Sequence, residues 1–71
     1  MLLNNKEYND IPIKDKFLLT LAEASKYFGI GQNKIRELVK EPECNYVLYN
    51  GNKTLIKRQA MESYLSREFS I

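Results

Sequence analysis

Residues 20–39 read TLAEASKYFGIGQNKIRELV and carry the signals of two short helices joined by a tight turn. Thr20 and Glu23 have the spacing of a capping box, in which each side chain accepts a hydrogen bond from the backbone amide of the other residue at the start of a helix. The helix is predicted to run to Phe28 and to end at Gly29, because glycine readily takes the left-handed conformation that follows a helix C-terminus.

A second helix is predicted over residues 32 to about 41, because Pro42 disfavours helical backbone in the residue before it. The helical period places its apolar residues on one face, and these are Ile35, Leu38 and Val39. The opposite face and the flanks carry Gln32, Asn33, Lys34, Arg36, Glu37 and Lys40. Two short helices joined by residues 29–31 form a helix-turn-helix, whose second helix enters the major groove of DNA.

The predicted outer face of the second helix has the residue types that read base edges. Asparagine and glutamine pair with adenine through two hydrogen bonds, and arginine pairs with guanine in the same way. Glu37 either accepts a hydrogen bond from cytosine or pairs with Lys34 or Lys40 on the helix surface. An ordinary helical hairpin with a solvated outer face is the alternative, since short helix pairs are common.

Residues 46–57 read YVLYNGNKTLIK and predict a β-hairpin. Asn50-Gly51 between two apolar runs is a strong hairpin signal, because both residues tolerate the positive φ of a type I′ turn. A hairpin directly after a helix-turn-helix forms a wing, which can enter the minor groove or lie along phosphates. Its candidate DNA contacts are Asn52 and Lys53 at the tip and Lys57 and Arg58 at the base. Alternatively, Lys53 is only a solubilising charge on an edge strand.

The remaining segments complete a single domain. Residues 17–19 are a candidate strand, and residues 59 to about 68 predict a third helix with Met61, Tyr64, Leu65 and Phe69 as its apolar stripe. Tyr27 lies off the inner stripe of its helix and is a candidate phosphate contact. The predicted fold class is α+β: a flexible tail over residues 1–10 precedes a small winged helix-turn-helix over residues 11–71, with three short helices, an antiparallel hairpin wing and a short N-terminal strand.

The composition argues against an enzyme. A chain of 71 residues with 44% hydrophobic and 28% charged residues is globular and forms one small core. Cys44 is the only cysteine and histidine is absent, which excludes an internal disulfide, most zinc sites and every histidine-dependent triad. We therefore expect a binding module rather than an enzyme, with no metal or cofactor. No apolar run has the length of a signal peptide or a membrane span, which favours a cytoplasmic location and no membrane partner.

Positive charge is concentrated in the middle of the sequence. Residues 20–58 carry seven basic and four acidic side chains, whereas residues 1–19 carry three of each sign and residues 59–71 sum to −1. A basic middle suits contact with a polyanion such as DNA, although a solvated basic face has the same pattern.

Five stretches of the sequence together resemble the excisionases of bacterial conjugative transposons. They are residues 10–13 (DIPI), 19–28 (LTLAEASKYF), 30–34 (IGQNK), 50–53 (NGNK) and 56–58 (IKR). The match is collinear over roughly residues 10–66, and the run EASKYF is more specific than a helix-turn-helix alone. Two positions depart from the family's pattern: Glu37 stands where a basic residue is expected, and Gly29 where a larger residue can occur.

The resemblance implies a non-catalytic recombination directionality factor with a small winged-helix fold, similar to the DNA-binding domain of mercury-resistance regulators. Such proteins bind repeated sites in the attachment-site arms of double-stranded DNA, often with cooperative self-association, and bend the DNA. This helps a tyrosine-recombinase integrase to excise the mobile element. Carried over by position, the DNA contacts would be Gln32, Asn33, Lys34, Arg36 and Lys40 in the second helix, and Asn52, Lys53, Lys57 and Arg58 in and beside the wing.

Two other functions stay open at this point. One is a small winged-helix transcription regulator, although such regulators usually carry a dimerisation coiled coil or an effector domain, and only one short helix is predicted after residue 58. The other is a protein-interaction module with no DNA role, whose third helix docks on a partner. Salt-dependent DNA binding separates this second function from the DNA-binding ones.

Overall fold

The structure is a computed structural model that describes residues 10–71. The predicted tail, residues 1–10, lies outside the described residues except for Asp10. After a short 3₁₀ turn at Ile13–Asp15, the elements in chain order are β1 (Leu18–Thr20), α1 (Leu21–Phe28), α2 (Gln32–Leu38), β2 (Val47–Asn50), β3 (Lys53–Lys57) and α3 (Arg58–Arg67). Three helices and a small antiparallel sheet confirm the predicted α+β class and are consistent with a winged helix.

Local signals at the start and end of α1 form as predicted. The Thr20 hydroxyl accepts a hydrogen bond from the Glu23 amide at 3.1 Å, and the Glu23 carboxylate accepts one from the Thr20 amide at 3.0 Å. At the other end, Gly29 has a φ of 70°, and its amide donates to the carbonyl of Ser25. Both ends are determined within a few residues of sequence, because a cap satisfies backbone groups that lie in the adjacent turn.

The sheet places β3 in the centre, in the order β1-β3-β2, with both pairings antiparallel. Ile56 in β3 is opposite Leu19 on one side and Val47 on the other. The N-terminal strand is thereby joined to the hairpin, and the sheet supports the helix-turn-helix from one side.

The core is formed by apolar side chains from the three helices, from β1 and β3 and from the segments next to α2 and β2, and the partly buried Val47 of β2 packs against it. Its buried members are Leu19, Ala24, Ile35, Leu38, Val39, Tyr46, Ile56 and Met61. The predicted inner stripe of α2 is therefore confirmed, and Ala24 provides the small side chain that lets α1 and α2 approach closely. The rings of Tyr46 and Tyr64 pack at 5.2 Å between centroids, which attaches α3 to the segment before β2.

The hairpin turn differs from the predicted one. Asn50 is opposite Lys53 in the ladder, so the two-residue loop is Gly51-Asn52 and not Asn50-Gly51. Within residues 10–71, only glycines have positive φ, and Gly51 has a φ of 62°. A positive φ at the first loop residue alone is the pattern of a type II′ turn, so the predicted type I′ turn is wrong.

The end of the second helix and the position of Phe69 also differ from the prediction. The second helix ends at Leu38 and not near Glu41, because the amides of Lys40 and Glu41 bond to carbonyls three residues back and the chain tightens into turns before Pro42. The third helix ends at Arg67, so Phe69 lies beyond it. Its side chain is fully exposed, and its predicted place in the apolar stripe is wrong.

Candidate nucleic-acid interface

The outward face of α2 carries the polar residues that the sequence assigned to it. Gln32, Asn33, Arg36 and Glu37 are exposed, Lys34 is half-buried, and Lys40 is exposed in the turn after the helix. The opposite face is held by the buried Ile35 and Leu38. Because the inner face is fixed in the core, the outer face is presented by a rigid element.

Two pairs of side chains form on this face. The Nη1 group of Arg36 donates a hydrogen bond to Oδ1 of Asn33 at 3.1 Å. Lys34 Nζ lies 3.9 Å from Glu37 Oε1, and the two side chains are 41% and 73% exposed. The surface pair considered for Glu37 is formed in the structure, with Lys34 as the partner. An exposed pair at this separation contributes only a few tenths of a kcal/mol.

The wing presents Asn52 and Lys53 at its exposed tip, together with Asn50 and Gly51. Lys57, at the base of the wing, is half-buried, and its amide donates to the carbonyl of Tyr46 at 2.7 Å. The tip is thus accessible to a large partner, whereas the base of the wing is partly packed into the domain.

Arg58 makes its contacts inside the domain. Its Nε donates to the carbonyl of Lys16 at 2.8 Å, and its Nη1 lies 3.3 Å from Glu62 Oε2. Its guanidinium carbon also lies 5.8 Å from the centre of the Tyr27 ring, and the Tyr27 hydroxyl hydrogen-bonds to Glu62. The side chain of Arg58 is only 14% exposed. This cluster joins α1, α3 and the segment before β1, so both Arg58 and Tyr27 have structural partners there.

Arg58→Ala is expected to destabilise the fold by about 1–3 kcal/mol, because it removes a partly buried charged donor from the Lys16 carbonyl and from Glu62. The measurement is urea unfolding followed by circular dichroism. Arg67→Ala is the matched control, since Arg67 is exposed at the far end of the same helix. Equal stability of the two variants would show that the Arg58 cluster does not hold the helices together.

Acidic side chains collect in a groove that begins at the C-terminal end of α2. Glu41, Glu43 and Glu68 line it, and Tyr46 and Tyr64 form part of its wall. Partial burial and the nearby carboxylates of Glu68 and Glu41 raise the pKa of Tyr64. The surface is therefore divided electrostatically: basic side chains lie on α2 and the wing, and a negative groove lies between the turn after α2 and the end of α3.

Known proteins similar to this chain identify its family. The family model described as "Excisionase from transposon Tn916" matches residues 3–70, nearly the whole chain. The chain belongs to the Tn916 excisionase family. A curated excisionase from transposon Tn916, from Streptococcus agalactiae serotype V, is 47% identical over 57 residues, which are 79% of this chain and 85% of that protein. The resemblance noted in the sequence is confirmed, and the chain has an excision-related role.

The two departures from the excisionase pattern now have a structural context. Gly29 has a φ of 70°, and no atom lies within 4 Å of the position a Cβ would occupy. A larger residue there would be opposed by backbone strain and not by lack of space. Glu37 pairs with Lys34, so its charge is partly offset on the helix surface. Among residues 10–71, no helix is long and apolar enough to cross a membrane.

Proposed function

We propose that this excisionase is a non-catalytic protein that binds and bends the attachment-site arms of a mobile element and assists a tyrosine-recombinase integrase in excision. The observation that carries the proposal is the outer face of α2, a polar and basic surface on a helix whose inner face is locked into the core. A helix of this kind fits the major groove of B-DNA, and an adjacent wing fits the minor groove or the phosphates.

The charge distribution supports this orientation on DNA. The exposed or half-buried cations Lys34, Arg36 and Lys40 lie on or just after α2, and Lys53 lies at the wing tip. The acidic groove extends from the end of α2 to the end of α3, and phosphates would repel it. A domain with this asymmetry is steered toward DNA by one surface and keeps the opposite charge for solvent or for a protein partner.

The size of the domain favours several copies on one arm. Its longest dimension is 40 Å, a little more than one turn of B-DNA at about 34 Å. A domain of this size buries roughly 600–1,000 Å² of its surface on DNA, which gives modest affinity. Bending a site of 20–30 base pairs costs on the order of 1–6 kcal/mol, and several adjacent copies can share that cost.

The decisive experiment is a nuclease footprint on the attachment-site arms of the element that carries this gene, with a random duplex of equal length as control. Protection of repeated sites, and retarded migration of fragments with the site at their centre, are the expected results. Excision by the purified integrase should then depend on added protein. Equal binding to both duplexes, without bending and without any effect on excision, would overturn the proposal.

Lys53→Ala is expected to weaken binding to every duplex by a similar factor and to reduce the salt slope of binding by about one unit, because a lysine on a phosphate releases about one counterion. Titrations at several salt concentrations, on the cognate arm and on a random duplex, give both quantities. Arg67→Ala is a control that removes the same charge from the far end of α3. An unchanged salt slope in Lys53→Ala would mean that Lys53 makes no phosphate contact and that the wing tip is only a turn.

A further inference from the structure

The hydrogen bond between Arg36 and Asn33 changes what each side chain offers to DNA. An asparagine that reads adenine by itself uses its carbonyl oxygen as the acceptor and its amino group as the donor. Here the carbonyl oxygen Oδ1 of Asn33 already accepts from Arg36 Nη1 at 3.1 Å, so adenine would have to share that oxygen with the guanidinium and use its second lone pair. The bond makes one unit of the two residues, which lie one turn apart on the exposed face of α2.

Arg36 keeps its full reading capacity within this unit. A guanidinium has five N–H donors, and one bond to Asn33 leaves four. Guanine presents two acceptors in the major groove, O6 and N7, and needs only two of those donors. Adenine presents a donor beside its N7, which an arginine cannot satisfy because it has no acceptor.

The charge of Arg36 is also not neutralised by its acidic neighbour. Glu37 lies beside Lys34, at 3.9 Å between the charged atoms. Within the part of the chain that the structure describes, the hydrogen-bond partner of Arg36 is the neutral amide of Asn33. An arginine held by a neutral partner keeps its positive charge for an external acceptor, and it loses less conformational freedom when that acceptor binds.

On the basis of the proposed function, we infer that Asn33 is a positioning residue: it holds Arg36 so that Arg36 reads one guanine in each binding site, and Asn33 does not itself read adenine. The placement on α2 favours a base over a phosphate, because a recognition helix lies in the major groove and Asn33 and Arg36 are both on the exposed face of α2. The inference assigns a guanine to the part of the site that faces Asn33 and Arg36.

The test uses attachment-arm duplexes in which each guanine of the footprint is replaced in turn by 7-deazaguanine, which lacks the N7 acceptor. The quantity measured is the ratio of affinities for the unmodified and modified duplex. We expect a ratio of roughly ten at one guanine for the unsubstituted protein and a ratio near one for Arg36→Ala, because one arm of a bidentate contact is lost. A ratio cancels any effect that acts equally on both duplexes.

Two substitutions of Asn33 then separate positioning from reading. Asn33→Asp keeps an oxygen that accepts from Arg36, with the added strength of an ionic hydrogen bond, so the ratio should be retained. Asn33→Ala removes that acceptor, so the ratio should fall most of the way toward one. Circular dichroism melts of each variant check that the fold is intact, which is expected because Asn33 is exposed.

The possible failures can be told apart. A ratio that Asn33→Ala leaves unchanged would overturn the role of Asn33 while the proposed function stands. The role of Asn33 would also be overturned if 7-deazaadenine at one position weakened binding of the unsubstituted protein but not of Asn33→Ala. That result would mean that Asn33 reads adenine. Failure of the unsubstituted protein to prefer the attachment arm over a random duplex would overturn the proposed function itself.

Discussion

Ile56→Ala is expected to unfold most of the protein at room temperature. Ile56 is fully buried in the central strand and lies between Leu19 and Val47, so truncation leaves a cavity where three strands meet. Such substitutions cost about 2–5 kcal/mol, whereas a core of this size supplies only about 3–5 kcal/mol of net stability. Circular dichroism and urea unfolding should show a large loss of folded protein, and binding to DNA should fall with it.

Ile56→Val is the control for this prediction, because it removes one methyl group and should cost only about 0.5–1.5 kcal/mol. Leu48→Ala is a second control in the neighbouring edge strand, where the side chain is 38% exposed and its loss should be tolerated far better. A well-folded Ile56→Ala protein would mean that the sheet is not the support of the helix-turn-helix.

Loss of the Glu23 carboxylate should have the second-largest effect. Its carboxylate accepts from the ammonium group of Lys16, which is 4% exposed, and also from the Thr20 amide. Glu23→Gln can keep the contact with the Thr20 amide but loses the charge beside Lys16, and we expect a cost of about 1–3 kcal/mol. Glu23→Ala should cost more, because the hydrogen bond from the Thr20 amide is lost as well, although the Thr20 hydroxyl still accepts from the backbone amide of residue 23.

The Glu23 interaction also predicts a dependence of stability on pH. Burial by itself would raise the pKa of Glu23, but hydrogen bonds from Lys16 and Thr20 and the charge of Lys16 together hold it below 4.5. A carboxylate with a lowered pKa in the folded state stabilises the fold above its unfolded pKa, and this contribution is lost as the pH falls through the folded pKa. Urea unfolding should therefore show a lower free energy of unfolding below the folded pKa of Glu23 than at neutral pH. This difference should be smaller in Glu23→Gln.

Glu37→Gln serves as the matched control, since the Glu37 side chain is 73% exposed and its charged oxygen lies 3.9 Å from Lys34 Nζ. Its stability should change by less than about 0.5 kcal/mol. If Glu23→Gln behaved like this surface variant, the contact between Glu23 and Lys16 would contribute nothing measurable to folding.

Most of the fold was predictable because its signals are local. The capping box at Thr20 and the left-handed Gly29 each depend on a few neighbouring residues. The apolar stripe of α2 follows from helical period alone, and so does the exposure of its outer face. The candidate residues on α2 are where the sequence placed them for this reason.

Long-range contacts determine the partners of Arg58, which the local sequence does not predict. Two partners of Arg58, the Tyr27 hydroxyl and the Lys16 carbonyl, are 31 and 42 residues away along the chain. No local sequence pattern predicts these contacts. The sequence predicts Arg58 as a candidate DNA contact at the base of the wing. In the structure, its guanidinium donates to acceptors within the domain. Separation along the chain hides contacts of this kind until the helices have packed.

The hairpin shows the division most clearly. Its existence followed from Asn and Gly between two apolar runs, but its register did not, and the loop moved by one residue to Gly51-Asn52. Moving a two-residue loop by one position shifts the pairing by two residues, so both registers keep the same side chains on the inward face. The apolar contact of Ile56 with Val47, on the side opposite Leu19, favours the observed register, because the other register would place residue 45, an asparagine, against Ile56. Local sequence thus determined the helices, their caps and the presence of the wing, whereas burial in the shared core determined the strand register and the internal role of Arg58, because only packing can choose between alternatives of similar local energy.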